Sequence, residues 1–122
     1  MGMEKEIGVE IGTVKKYVEI GYEELNGIAI RKYLVNGHYV TLCDIPCLDL
    51  SKLSESEIEN ALVALYDSVK DYGVEIGLWS DVYVFDVPYN CVISSTKPIP
   101  REVIKIAIST LRAFCNKVVV HG

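Results

Sequence analysis

Leu53-Ser54-Glu55-Ser56-Glu57-Ile58-Glu59-Asn60-Ala61-Leu62-Val63-Ala64-Leu65-Tyr66-Asp67-Ser68-Val69-Lys70-Asp71-Tyr72-Gly73 reads as one amphipathic helix, and the rest of the 122-residue chain is arranged around it. Three signals mark its start. The Ser54 hydroxyl can cap the first turn, and Glu57, three residues on, can reach back to the Ser54 amide to complete a capping box. Leu53 before the cap and Ile58 at the fourth helical position are spaced for a hydrophobic staple. Ile58, Ala61, Leu62, Leu65, Val69 and Tyr72 recur at three- and four-residue steps and so share a face. Glu59, Asn60, Asp67, Lys70 and Asp71 fall outside it. Gly73 supplies the left-handed residue that ends the helix.

On the N-terminal side, Asn26-Gly27 and Asn36-Gly37 are the clearest local signals. Asn-Gly suits the two positive-φ positions of a type I′ turn, whose twist matches an antiparallel pair. The spacing predicts a three-stranded meander over 16–25, 28–35 and 38–45, ended by Pro46, which has no amide to give a ladder. Ile7, Val9 and Ile11 alternate with Gly8, Glu10 and Gly12 and predict a further short strand. On the C-terminal side, 74–77 read as a connection and Leu78–Val87 as a strand rich in β-branched and aromatic residues. Pro88-Tyr89-Asn90 reads as a turn, and Cys91–Ser95 as its returning partner. Pro100 fits the first turn of a second helix. Ile104, Ala107, Ile108, Leu111 and Cys115 line one face of that helix, and Asn116 reads as its stop. Lys117–His121 reads as a final strand.

These elements predict a single α+β domain over 1–122: a two-layer sandwich of a mainly antiparallel sheet and two helices. From residue 38 the order is β-α-β-β-α-β, that of a ferredoxin-like unit. That fold places the last strand beside the first, yet 38–45 is also tied by a hairpin to 28–35. A profilin-like order is the alternative.

Composition narrows the function classes. No run of about 18 apolar residues offers a membrane span, and Met1-Gly2-Met3-Glu4-Lys5-Glu6 is too charged for a signal peptide, so a cytoplasmic protein is expected. Half of the residues are hydrophobic, and mean hydropathy is +0.24. A globule this small cannot hide all of that surface, so a protein partner or a homo-oligomer is expected. Net charge is −5, with 11 acidic and 6 basic residues in 1–60 and 6 of each in 61–122. An acidic chain is a poor general partner for nucleic acid. The absence of Gln and the wealth of Ile, Val, Glu, Lys and Tyr resemble the bias of thermophile proteins.

Candidate sites follow from residue types. Cys43 and Cys47, four apart at a strand end, are disulfide candidates. Zinc would need a second pair in similar spacing, and Cys91, Cys115, His38 and His121 are scattered singles, so no metal or cofactor is called. Neither histidine has a neighbouring nucleophile or acid pattern, and no catalytic residue is assigned. Trp79, Tyr83 and Phe85 alternate along the strand after the first helix and are the interface candidates, since aromatics dominate binding hot spots. Arg101, Lys105, Arg112 and Lys117 could meet phosphate from the second helix and beyond it. The nine glycines form no phosphate-cradling loop of standard spacing.

Tyr39-Val40, Glu57-Ile58 with Ala61, Leu78-Trp79, Phe85-Asp86, Ile93 and Ala107-Ile108 give residues 39–121 a layout similar to the small ferredoxin-like protein subunits of archaeal and eukaryotic ribonuclease P. Those subunits are typically basic, whereas this chain is acidic. The resemblance implies an RNA-associated subunit as the alternative function. The first expectation is a non-catalytic, self-associating interaction domain. A small-ligand or metal site near Cys43, Cys47 and His38 comes third.

Overall fold

The computed structural model describes residues 17–84 and 87–121, without the side chains of Asp81 and residues 118–121. The expected strand through Ile7, Val9 and Ile11 lies outside them. The described strands are β1 (Tyr17–Leu25), β2 (Ile28–Val35), β3 (His38–Asp44), β4 (Glu75–Val84) and β5 (Val87–Ser95), with helices α1 (Glu55–Val69) and α2 (Arg101–His121). The sheet is antiparallel throughout, in the order β1-β2-β3-β5-β4. It is an α+β sandwich, as the sequence predicts.

Both meander turns form at the Asn-Gly pairs. Asn26 and Gly27 have φ of 52° and 81°, and Asn36 and Gly37 have 49° and 83°. A β-branched residue at any of these positions would be strained, which is why Asn-Gly occupies them. Helix α1 carries the full capping box: the Glu57 amide donates to Ser54 Oγ at 3.2 Å, and the Ser54 amide donates to Glu57 Oε1 at 2.8 Å. The α-helix stops at Val69, followed by a 3-10 turn over Lys70–Tyr72 and by Gly73 at φ 68°. The tighter turn carries Tyr72 off the buried face, and it stays largely exposed. Ala61, Leu65 and Val69 pack with Val103, Ile104, Ala107 and Leu111 of α2 against Ile28, Ile30, Cys43, Cys91 and Ile93 of the sheet. That is the main core.

Three expectations need correction. Lys117–His121 continues α2 and does not form a strand. Its place beside β3 is already taken, because β3 pairs with β2 on one side and β5 on the other. The helical cost of valine, about 0.5 kcal/mol per residue, is small beside the loss of every backbone partner. The ferredoxin-like order therefore fails at its last strand. Next, β4 begins at Glu75, so 75–77 belong to the strand. Finally, Pro88 lies within β5, opposite Tyr83. Among the described residues β5 has only β4 as a paired neighbour there, since β3 joins it from Cys91 onward, and a missing amide on the other side costs no described ladder bond. Among the described residues no helix is long and apolar enough to cross a membrane.

Candidate functional site

The second face of the sheet is where recessed apolar surface remains. The register of β4 against β5 shifts between Leu78 and Val82. Beyond the shift, Val82, Val84 and Tyr89 turn onto this second face and pack with Tyr33, Val40 and Leu42. They cover only part of it. Beside them a groove of about 540 Å³ is floored by Val35, Val40, Leu42 and Val92 and rimmed by His38, Glu75 and Ser94.

Trp79 forms the groove's wall. Its indole lies against the backbone of Gly77, so closely that a Cβ on residue 77 would stand 2.7 Å from the indole Nε1. Glycine in the middle of a strand is otherwise unfavourable, and close approach of another group is its usual cause. Trp79 keeps 40% exposure and also lines a second depression of about 390 Å³, with Pro46, Leu48, Ser80, Tyr83 and Tyr89. One large aromatic thus stands between two hollows.

A polar network fixes the turned-over tip of the hairpin. Arg31 of β2 donates to Tyr89 Oη at 2.8 Å and to Glu19 Oε1 at 2.7 Å, and Tyr33 Oη donates to the same Glu19 oxygen at 3.0 Å. The Arg31 guanidinium also lies 4.7 Å from the centre of the Tyr22 ring, a cation–π contact. Burial works against the Arg31 charge, but the bonds to Glu19 and Tyr89 hold its pKa above the ordinary value. Burial, reinforced by Glu19, pushes the Tyr33 phenol up. Both groups keep their protons through the neutral range, so the network is a fixed strut. Asn90 does a similar service on the main-core side. Its Nδ2 donates to the carbonyls of Ile45 at 3.0 Å and Leu48 at 2.7 Å, while the Ile45 amide donates to its Oδ1 at 3.0 Å.

The residues singled out in the sequence scatter over this frame. Trp79 and Tyr83 are exposed at 40% and 48% and border the same hollow; Phe85 lies outside the described residues. The cationic group is partly engaged. Arg101 pairs with Glu23 at 2.9 Å, and Arg112 donates to the Asn26 carbonyl, so both hold α2 to the first hairpin, while Lys105 and Lys117 are exposed. Cys47 forms a disulfide with Cys115 of α2, and Cys43 is a buried free thiol opposite Cys91. The bond therefore closes on the second helix and not within Cys43–Cys47. His38 is exposed, with Nδ1 donating to the Asn36 carbonyl at 3.3 Å, and it reaches the groove's rim, on the sheet face opposite to Cys43. Among the described residues no three His, Cys, Asp or Glu side chains converge as metal ligands.

Sequence reasoning missed the groove, the Asn90 clamp and the Arg31 strut. A glycine two residues before the only tryptophan, on a strand, was the available signal for the first. Comparison with protein-family models, with curated proteins and with solved structures finds no match.

Proposed function

We propose that this chain is a non-catalytic interaction domain that assembles with a second copy of itself through the hairpin surface around Trp79 and Tyr83. The observation that carries the reading is Trp79, held half-exposed on Gly77 between an apolar groove and a second hollow of mixed polar and apolar lining. A large aromatic with recessed surface on both sides is the makeup of an interface anchor and its complementary pockets. The outer face of α1 also exposes Val63 and Tyr66, but neither of the two hollows beside Trp79 includes that helix surface. Strand β4 adds an edge: its described pairing is with β5 alone, and an edge strand invites another strand. Symmetric pairing is the commonest way for identical chains to cover such a surface. A cytoplasmic setting in a heat-grown organism belongs to the same proposal and rests on composition.

Light scattering across a wide concentration range tests it, with Trp79 emission as the local reporter. A dimer is expected, with emission shifting to the blue as it forms. Gly77→Ala, which displaces the indole, is expected to weaken assembly at least tenfold while leaving the far-ultraviolet spectrum unchanged. A strict monomer at all concentrations sinks the proposal. The groove's volume favours one second reading, a small apolar ligand, since such sites span about 300–1,000 Å³. A monomer whose Trp79 emission responds to an apolar dye would move the function there.

A further inference from the structure

Two cysteines outside the disulfide face each other across the sheet. Cys43 of β3 and Cys91 of β5 are register partners on neighbouring antiparallel strands. Both are free and fully buried. Opposed residues in such a pair have Cα atoms about 4.5–5.5 Å apart, inside the range of about 4.4–6.8 Å that a disulfide accepts. No strand has to slide for the two sulfurs to meet. The next register pair, Leu42 with Val92, points to the other face and floors the groove. The main core also contains Cys115, whose sulfur is already in a disulfide.

We propose that Cys43 and Cys91 are a redox-active dithiol that closes to a second disulfide, and that closure shifts the floor of the Trp79 groove on the opposite face. The oxidant is a low-molecular-weight disulfide. One cysteine thiolate attacks a sulfur of the oxidant, whose S–S bond breaks and releases one thiol. The second cysteine thiolate attacks the mixed disulfide at the protein sulfur and releases the other. Two protein thiols thus give up two protons and two electrons, and the oxidant becomes two thiols. In the resting chain the pair behaves as small apolar filling. The neighbouring Cys91 thiol and burial both keep Cys43 protonated, so reaction waits on local opening of the β3–β5 seam. Bond formation brings the two sulfurs to about 2 Å, and the strands carrying Leu42 and Val92 move with them.

The test uses the full chain with its Cys47–Cys115 bond intact. It is incubated with oxidised glutathione, quenched by alkylation in denaturant and mapped without reduction. The expected result is a Cys43–Cys91 peptide pair beside Cys47–Cys115, with no retained glutathione and a shift in Trp79 emission. Cys91→Ala is expected to abolish both the new pair and the shift; if that variant does not fold, the wild-type map still decides the bond. Recovery of Cys43 and Cys91 as free alkylated thiols, or each as a glutathione adduct, overturns the dithiol. A formed bond with unchanged emission overturns its coupling to the groove.

Discussion

Asn90 shows how much one side chain can organise. Its amide answers three backbone groups of the segment after β3, holding Ile45 and Leu48 and with them the loop that presents Cys47. The Ile45 amide and the Leu48 carbonyl would need water if the side-chain amide were lost, while the Ile45 carbonyl keeps the Leu48 amide, and Ile45 and Leu48 are buried. Each unanswered buried polar group costs about 1–3 kcal/mol. Asn90→Ala is therefore expected to lower the unfolding free energy by about 2–3 kcal/mol, read by chemical denaturation. Asn90→Asp is expected to rescue little of this, because a carboxylate keeps the acceptor for the Ile45 amide but sets charge against two carbonyls. A denaturation midpoint unchanged in Asn90→Ala would show that solvent serves the loop equally well. Before a fold is known, Asn90 after a proline and a tyrosine reads as turn chemistry. Its partners lie 42 and 45 positions away, and no local pattern reports them.

Helix α1 and the two Asn-Gly hairpins were readable because their determinants are local: a cap, a staple, a 3.6-residue period and positive-φ pairs. The limits of β4, β5 and α2 were not. Among the described residues Pro88 has a paired strand on one side alone, and Val118–Val120 stay helical where the place beside β3 is already taken. Both facts are set by neighbours distant in sequence. The irregularity between Leu78 and Val82 also interrupts the simple alternation expected to link Trp79 with Tyr83. Within α1 the separation of cap from core can be measured. Leu65 is fully buried between the sheet and α2, so Leu65→Ala is expected to cost about 2–5 kcal/mol. Ser54→Ala, which removes one side of the capping box, is expected to cost about 1 kcal/mol. Equal effects, or a harmless Leu65→Ala in denaturant titration, would mean that this face is not what holds the helix down.

In the molecule as a whole, α2 is tied to the sheet near the end where β3 finishes, beside the β1–β2 turn. Arg101 and Arg112 reach the first hairpin from α2, and the Cys47–Cys115 bond joins the loop after β3 to the same helix across a separation of 68 residues. A closed loop of that length restricts the unfolded chain, worth about 4 kcal/mol in the chain-entropy description. Cys47→Ser, at the exposed partner, is expected to lower stability by about 3–4 kcal/mol with the circular-dichroism spectrum preserved. A loss below about 1 kcal/mol would show that the unfolded chain was never as free as that description assumes. The strand order has a consequence for how quickly such a chain finds its fold. The meander β1-β2-β3 and the hairpin β4-β5 each close through short turns, but they are joined in the sheet only where Tyr39–Cys43 meets Ser95–Cys91. That seam carries the largest loop-closure entropy in the sheet. Half of the connection from β3 to the hairpin is α1, and once its own cap has nucleated it, fifteen flexible residues become a rod of about 22 Å. The capping box at Ser54 thus acts on the folding rate as well as on helix stability, by delivering the hairpin to the seam.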